Sequence, residues 1–598
     1  MIDSLKKIFY LLPAGDTIKV VVLFFMMLIA ALLEVAGIGM IPAFVAIVAV
    51  PERVLAVELL QPLLAYLNVQ NAQDLLLLGS VALVLMFVLK SAYIVYFGYL
   101  ESRFLFNRRY LISRRLMSSY MQAPYTFHLD KNSSELVRNV NGEVNIIINN
   151  ILQGLLGIGK DGVMALTILG FLFYYEPVIT LMVILLSGVG SGSFVLFTQR
   201  KMKQFGKEEL EHRGKMIKAI YEGVGGLKDA RILNREAEFI KQFSKEARES
   251  ATLNTYTRFI KQIPRPVVET TAVFGMMLIS IFMVWQGRPM EAIIPTLTLF
   301  AMATVRLMPA IQSISSMYTH LQYNFASLEP IYDDLKALEK DSQEFIRDRK
   351  NARKIDFRDK IEVKNVSYHY PGSAEMALDG VSVTIPKGKA IAFVGESGAG
   401  KTTIVDLLLG LLKPTEGTIM VDGQDIHSNL SGWQKNIGYI PQSIYLADDT
   451  LRRNIAFGLP EEEIDDAKIA DAIKSAQLGK LLGHLPDGLE TLIGENGARL
   501  SGGQRQRVGI ARALYHNPEV LVMDEATSAL DNITEQQVTE AIESLIGERT
   551  IIMIAHRLTT VMNCDQLYLM ENGKIIQEGT YDELVQNSSL FREMALEA

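Results

Sequence analysis

The sequence predicts a membrane protein in two parts. An all-α transmembrane domain of six helices, residues 1–320, is followed through a linker at 321–355 by an α/β P-loop ATPase domain, residues 356–598. Three observations carry this. Hydrophobic residues make up 49% of the chain and mean hydropathy is +0.20, which over 598 residues means membrane spans diluted by a soluble part. Six apolar runs of membrane length fall in the first half. In the second half, a short apolar strand at Ile391–Val394 runs into Gly395, Glu396, Ser397, Gly398, Ala399, Gly400, Lys401, Thr402 and Thr403.

Bulk properties bound the rest. At 598 residues the chain is too long for one hydrophobic core. A net charge of −7 argues against a nucleic-acid partner. Cys564 is the single cysteine, so an intramolecular disulfide and a cysteine-based metal site are both excluded, and it reads as an inert packed thiol. Lys6 and Lys7 precede an apolar stretch from Ile18 that is too long for a signal peptide and lacks a cleavage-like flank.

A span needs about 20 apolar residues to cross roughly 30 Å of hydrocarbon. The candidates are 18–48, 74–99, 147–174, 177–198, 264–287 and 290–312. Positive charge orients them. Arg103, Arg108, Arg109, Arg114 and Arg115 follow the second, and Arg200, Lys201, Lys203 and Lys207 follow the fourth, so both places are cytoplasmic. The connections at 175–176 and 288–289 are short and belong on the other side, which puts both chain ends in the cytoplasm. The cytoplasmic connections, 100–146 and 199–263, are polar with sustained helical periodicity and read as helices continuing out of the membrane. Each has a bend signal, at Gln122–Tyr125 and at Gly223–Gly226, where a soluble domain would dock. Residues 51–70 carry an apolar stripe too short to span, which fits a helix lying in the outer interface or packed on the bundle exterior.

Ionisable residues inside spans are costly and usually face a polar cavity. Here they are Glu34, Lys90, Lys160, Asp161, Glu269 and Arg306, with Arg265 at the start of the fifth candidate. Lys160 and Asp161 read as a local or interhelical pair, and Lys90 has the alternative of snorkelling. Arg306 lies deep in its span, three residues before Pro309, and reads as lining a cavity. The competing reading pairs it internally, for example with Glu34.

The Gly395–Thr403 stretch is a P-loop. Its glycines let backbone N–H groups turn inward on a phosphate chain, and the helix N-terminus adds positive potential. Lys401 can reach the β- and γ-phosphates and Thr402 can ligate Mg²⁺, so the chain binds a nucleoside triphosphate. Other signals surround it in order. Tyr368 and Tyr370 come before, with an aromatic ring suited to stacking on adenine. Gln442 follows Ile440 and Pro441. Residues 500–504 read Leu-Ser-Gly-Gly-Gln. An apolar strand at 520–525 ends in Asp524 and Glu525. Asp531 follows, and His556 closes another apolar strand.

Taken together these motifs resemble the ATP-binding cassette family over the whole chain. The run Leu500, Ser501, Gly502, Gly503 and Gln504 looks like that family's signature motif, and six spans before a C-terminal cassette resemble an exporter-type half-transporter. The resemblance implies ATP with Mg²⁺ and a role for each matching position. Tyr370 stacks adenine. Gly395 to Thr403 hold the phosphates. Thr402, Gln442 and Asp524 serve Mg²⁺, Glu525 polarises the attacking water, and His556 contacts the γ-phosphate. Ser501, Gly502, Gly503 and Gln504, with Asp531, belong to the composite ATP site, in which Ser501 and Gly503 close over the partner's P-loop. Since a complete site takes elements from two cassettes, a second copy of the same chain is the implied partner. The two bends look like the family's coupling helices.

Within the exporters, the chain resembles the bacterial lipid-linked oligosaccharide flippases. The features are Pro264-Arg265-Pro266, Arg306 to Pro309, Ser327 to Tyr332 and the extra helix at 51–70. This implies a polyprenyl-diphosphate-linked glycan as substrate in the bacterial inner membrane, with Arg265, Arg306 and Lys90 facing it. Two other readings stay open: an exporter of drugs or membrane lipids, and a gated channel or regulatory ATPase on the same fold. The intact Glu525 and signature motif disfavour the last, and the basic residues in the spans disfavour an apolar-drug exporter.

Overall fold

A computed structural model describes residues 2–597 except 14, 50–60, 67–68, 70, 289, 525–538, 541, 544 and 556–557. The chain divides into two compact units. One is Met1–Met121 with Lys131–Glu339, and the other is Gln122–Asp130 with Lys340–Ala598.

The first unit is helical. An N-terminal helix α1 (Ile2–Leu11) precedes α2 (Asp16–Ala49) and α3 (Ala72–Met121). The short helix α4 (Tyr125–Asp130) is part of the second unit. Then follow α5 (Ser133–Tyr175), α6 (Pro177–Gly225), α7 (Leu227–Ile232), α8 (Glu236–Gln262), α9 (Pro264–Trp285), α10 (Met290–Asn324) and α11 (Leu328–Ala337). The breaks after Met121 and at Gly226 fall at the two expected bends. Most of the interfacial stretch at 51–70 lies outside the described residues, which give only a short helix at Gln61–Tyr66.

Among the described residues, five helices are long and apolar enough to cross a membrane. They correspond to the expected spans at 18–48, 74–99, 147–174, 264–287 and 290–312. The remaining expected span, 177–198, lies at the start of α6, where the described residues give an apolar segment at Pro177–Leu186. The helix itself continues to Gly225.

Packing orders the bundle. Helix α2 lies on α3 and α5, and α10 lies on α5, α6 and α9. Arg288 joins the two short connections by donating both guanidinium nitrogens to Glu176, at 2.6 and 3.2 Å. That ion pair places both connections at the same end of the bundle. Helix α5 departs from α geometry at Arg138–Glu143 and Ile147–Leu152, which are π-helical. Such widened turns add a residue to the turn and re-aim side chains. They bury Asn139 and Glu143 completely, Glu143 facing Arg138 at 3.8 Å and Arg213 at 3.2 Å. Nearby, the Tyr120 hydroxyl donates to Asp334 at 2.6 Å and Lys131 pairs with the same carboxylate at 3.3 Å, which ties α3 and α11 together.

The second unit holds two sheets. The smaller is antiparallel, in the order β2 (Leu378–Pro386), β1 (Lys360–Tyr368), β4 (Glu416–Val421), β5 (Gln424–Asp425). The larger runs β10 (Lys574–Gly579), β9 (Gln566–Glu571), β3 (Ala390–Val394), β8 (Thr550–Ile554), β7 (Val520–Asp524), β6 (Ile437–Ile440). Its strands β9, β3, β8, β7 and β6 are parallel. Strands β3, β7 and β8 are buried along their whole length, as continuous apolar strands covered on both faces must be.

Candidate functional site

Strand β3 delivers the chain to Gly395, and the helix α12 (Lys401–Leu408) starts at Gly400. The loop between them depends on glycine at two points. Gly400 has φ +99°, and an added Cβ would lie 2.7 Å from the Ala377 carbonyl oxygen. At Gly395 it would lie 2.2 Å from that of Met570. Only a residue without Cβ lets the loop curl tightly here. Lys401 is buried, and its Nζ donates to the carbonyls of Gly395 at 2.7 Å and Glu396 at 2.8 Å, which holds the ammonium under the loop. Thr402 is exposed at the start of α12. The Tyr370 hydroxyl lies 3.2 Å from Thr403 Oγ1, and its ring meets Tyr368 edge-on at 5.1 Å. The sequence-predicted ring is therefore at the loop.

Sheet register gathers the rest. In parallel strands, Phe393 and Asp524 both stand opposite Ile554, and Ile440 stands opposite Met523. The carboxyl ends of β3, β8, β7 and β6 therefore finish side by side, the edge where open α/β sheets hold their ligands. Gln442 lies two residues past β6, exposed, and Asp524 is the buried last residue of β7. Glu525, Asp531 and His556 lie outside the described residues. The strands that lead to Glu525 and His556 end at this edge.

Asp406, in α12, was not legible as a site residue. Burial, with the Asp524 carboxylate as a second cause, pushes its carboxyl up to about 6. The same two carboxylates, after burial, raise the Tyr439 hydroxyl on β6. An acid one turn beyond the P-loop lysine carries no motif of its own, so only the fold reveals the cluster. Among the described residues no group of three or more His, Cys, Asp or Glu is placed to hold a metal alone. The donor set still fits Mg²⁺, which binds through one or two protein groups together with phosphate oxygens and water.

The signature run forms a helix start. Ser501 caps α13 (Gly502–Leu514): its Oγ accepts from the Gln504 N–H at 3.3 Å, while its own N–H donates to Gln504 Oε1 at 2.8 Å. This reciprocal capping box fixes the first turn. The Gln504 amide, expected at the nucleotide, is here engaged with its own helix. Ser501 is exposed at the helix's positive end.

In the helical unit, the structure brings together Glu34, Lys90 and Arg306. Lys90 Nζ lies 2.5 Å from Glu34 Oε2, and Arg306 Nη1 lies 2.7 Å from Glu34 Oε1. The pairing of Arg306 with Glu34 is thus present, and Lys90 shares it. Arg265 is elsewhere, donating to Glu269 at 2.9 Å with its side chain 75% exposed. It lines an open cavity of about 810 Å³ with Lys261, Gln312 and Ser313. On the same helices, α9 and α10, Thr271, Gly275, Met308 and Ile311 line an apolar cavity of about 280 Å³.

Comparison with known proteins agrees with this geometry. Residues 38–308 match the ABC transporter transmembrane region, and residues 378–528 match the ABC transporter family. The ATP-dependent lipid A-core flippase of Cupriavidus metallidurans is 31% identical over 499 residues, 83% of this chain and 82% of that protein. Its counterpart from Ralstonia nicotianae is 30% identical over 494 residues, 82% of this chain and 81% of that protein. A solved structure of a bacterial Atm1-family ABC exporter with ATP bound matches with a TM-score of 0.73 over 98% of each chain at 23% identity, a likeness of fold. With its phosphate loop, signature helix and apolar helices, this chain belongs to the ABC transporter family, as a multi-pass membrane protein that hydrolyses ATP to drive transport.

Proposed function

We propose that this transporter is a homodimeric flippase for a polyprenyl-diphosphate-linked oligosaccharide, working in the bacterial inner membrane with its cassettes in the cytoplasm. The observation that carries this is Arg306, a guanidinium in a membrane-spanning helix whose side chain is 43% exposed although a carboxylate partner is at hand. The diphosphate is the costliest part of such a lipid to move through hydrocarbon. A guanidinium stays protonated and binds phosphate oxygens bidentately. Arg265 adds a second cation at the open cavity, and the apolar cavity on the same helices suits a hydrocarbon tail. Lys90 adds its charge beside Arg306.

The rest of the machine follows the same reading. Six spans, with α6 supplying the fourth, leave both chain ends on the cytoplasmic side. The domains divide at 1–320, 321–355 and 356–598. Two cassettes face head to tail, so that Ser501, Gly502 and Gly503 of one close over the phosphate loop of the other. Gly395 to Thr403 bind the phosphates, Tyr370 covers adenine, and Asp531 and Gln504 support the composite site from the signature side. Thr402, Gln442 and Asp524 would hold Mg²⁺, which would supply positive charge to the phosphate oxygens. Glu525 polarises the attacking water and His556 contacts the terminal phosphate.

A second reading, a lipid A-core type of lipid as cargo, is favoured by the names of the similar proteins. Paired flipping and ATPase assays in proteoliposomes separate the two, with the diphosphate-linked glycan, a lipid A-core lipid and an uncharged apolar drug as test substrates. Arg306→Ala is expected to lower flipping of the diphosphate lipid per ATP hydrolysed by about tenfold to a hundredfold, with Arg306→Lys intermediate. Undiminished flipping in both Arg306→Ala and Arg265→Ala would remove the diphosphate reading.

A further inference from the structure

We propose that Glu34 is a built-in placeholder for the substrate's phosphate: it holds Arg306 between transport events and yields it when the anionic headgroup arrives, while Lys90 keeps Glu34 neutralised. The proposal rests on the reading of Arg306 as a phosphate-binding residue.

The geometry of the triad points there. Glu34 divides its two oxygens between two cations, Oε1 to Arg306 at 2.7 Å and Oε2 to Lys90 at 2.5 Å. Its grip on Arg306 is therefore monodentate, whereas a phosphate offers a guanidinium two parallel hydrogen bonds. The three side chains are unequally placed. Those of Glu34 and Lys90 are 9% and 7% exposed, and that of Arg306 is 43% exposed. Lys90 is held further by the Phe87 ring, 5.2 Å from its ammonium. The exposed cation is the one a ligand can reach, and the buried cation is the one that stays.

Charge counting shows why two cations are present. Removing the only partner of a buried carboxylate leaves an uncompensated charge, which is strongly unfavourable. With Lys90 in place, Arg306 can leave Glu34 without creating one. The triad carries a net single positive charge, so binding one phosphate charge brings the group to neutrality. Release reverses the exchange: Glu34 competes for Arg306 and helps expel the phosphate. Coupling between two ligands of one site has this reciprocal form, each weakening the other by the same factor.

The prediction has an unusual sign pattern. Measured as the concentration of a long-chain polyprenyl diphosphate that half-stimulates ATPase activity in phosphatidylcholine vesicles, Glu34→Gln is expected to bind roughly fivefold or more tightly than the parent. Its flipping per ATP should fall, because release is no longer assisted. Lys90→Met is expected to bind more weakly, since Arg306 would then be the sole partner of Glu34. The double substitution Glu34→Gln with Lys90→Met should recover parent-like or tighter binding. The uncharged polyprenol should show none of these changes. Unchanged or weaker binding in Glu34→Gln, or a double variant as impaired as Lys90→Met, would overturn the placeholder role. Arg306→Ala separates this from the underlying reading. If it leaves diphosphate binding intact, the phosphate-binding assignment fails; if it weakens binding while Glu34→Gln does not tighten it, only the placeholder fails.

Discussion

Asp406 stands in the helix behind the phosphate loop, and the Asp524 carboxylate bears on it from the end of the neighbouring strand. Burial first, and Asp524 second, raise its carboxyl to about 6 from an ordinary 3.8. A raised folded-state value means that the folded chain holds this proton more tightly than the unfolded chain. The resulting stabilisation is complete below about pH 4 and is lost as pH rises through about 6. Asp406→Asn cannot ionise. In thermal unfolding of the nucleotide-free protein it is expected to exceed the parent at about pH 7.5 by about 1 kcal/mol, after allowing for screening of a partly exposed group, and the gap should close below about pH 5. A parent and variant that differ equally at both pH values would exclude the electrostatic origin. Glu525 follows Asp524 directly in the chain. Glu525→Gln keeps the shape but cannot take a proton, so hydrolysis should fall by about 10²–10⁴ while ATP binding persists. Turnover near the parent rate would reassign the base.

Helix contacts depend on a different kind of detail. Gly206 of α6 lies where an added Cβ would fall 1.9 Å from the Tyr323 carbonyl oxygen of α10. Backbone meets backbone there, so no side-chain rotation can relieve a larger residue. Gly206→Val is expected to push the helices apart and destabilise the helical unit by about 1–3 kcal/mol, seen as a lower unfolding temperature. No change in that temperature would mean that the two helices separate freely. The π-helical turns of α5 act at the same scale: widened turns place Asn139 and Glu143 inside the packed bundle, where Arg138 and Arg213 satisfy the acid. Neither feature has a sequence signature. A glycine in a helix and an asparagine-rich turn have many uses, and the partner that explains each lies far along the chain.

At the scale of the molecule, Ser501, exposed at the start of the signature helix, and the phosphate loop sit on different elements of one cassette unit. Completing a site from two copies predicts complementation. Ser501→Arg should abolish hydrolysis, and so should Lys401→Ala. A mixed dimer of the two should regain one composite site and, in the simplest case, about half the parent activity. ATPase measurement on purified mixed dimers decides it. Unimpaired hydrolysis in Ser501→Arg alone would exclude the head-to-tail arrangement.

The P-loop, the signature run and the apolar strand ending in Asp524 were legible from residue order, because phosphate binding needs backbone N–H groups and short-range spacing that a sequence displays directly. Membrane segments were legible for the same reason: hydrocarbon selects composition over about 20 consecutive residues. The arginines after the second span read only as a topology signal. Folded, Arg108 pairs with Asp16 at 3.0 Å and Arg115 donates to the Tyr10 carbonyl at 3.1 Å. Lys90, Glu34 and Arg306 were each visible as charges in apolar runs, but their sharing of one carboxylate was not. That partnership joins three helices, and so does not depend on spacing along any one of them. Tertiary structure alone decided which cation is buried, which is exposed, and therefore which can exchange its partner.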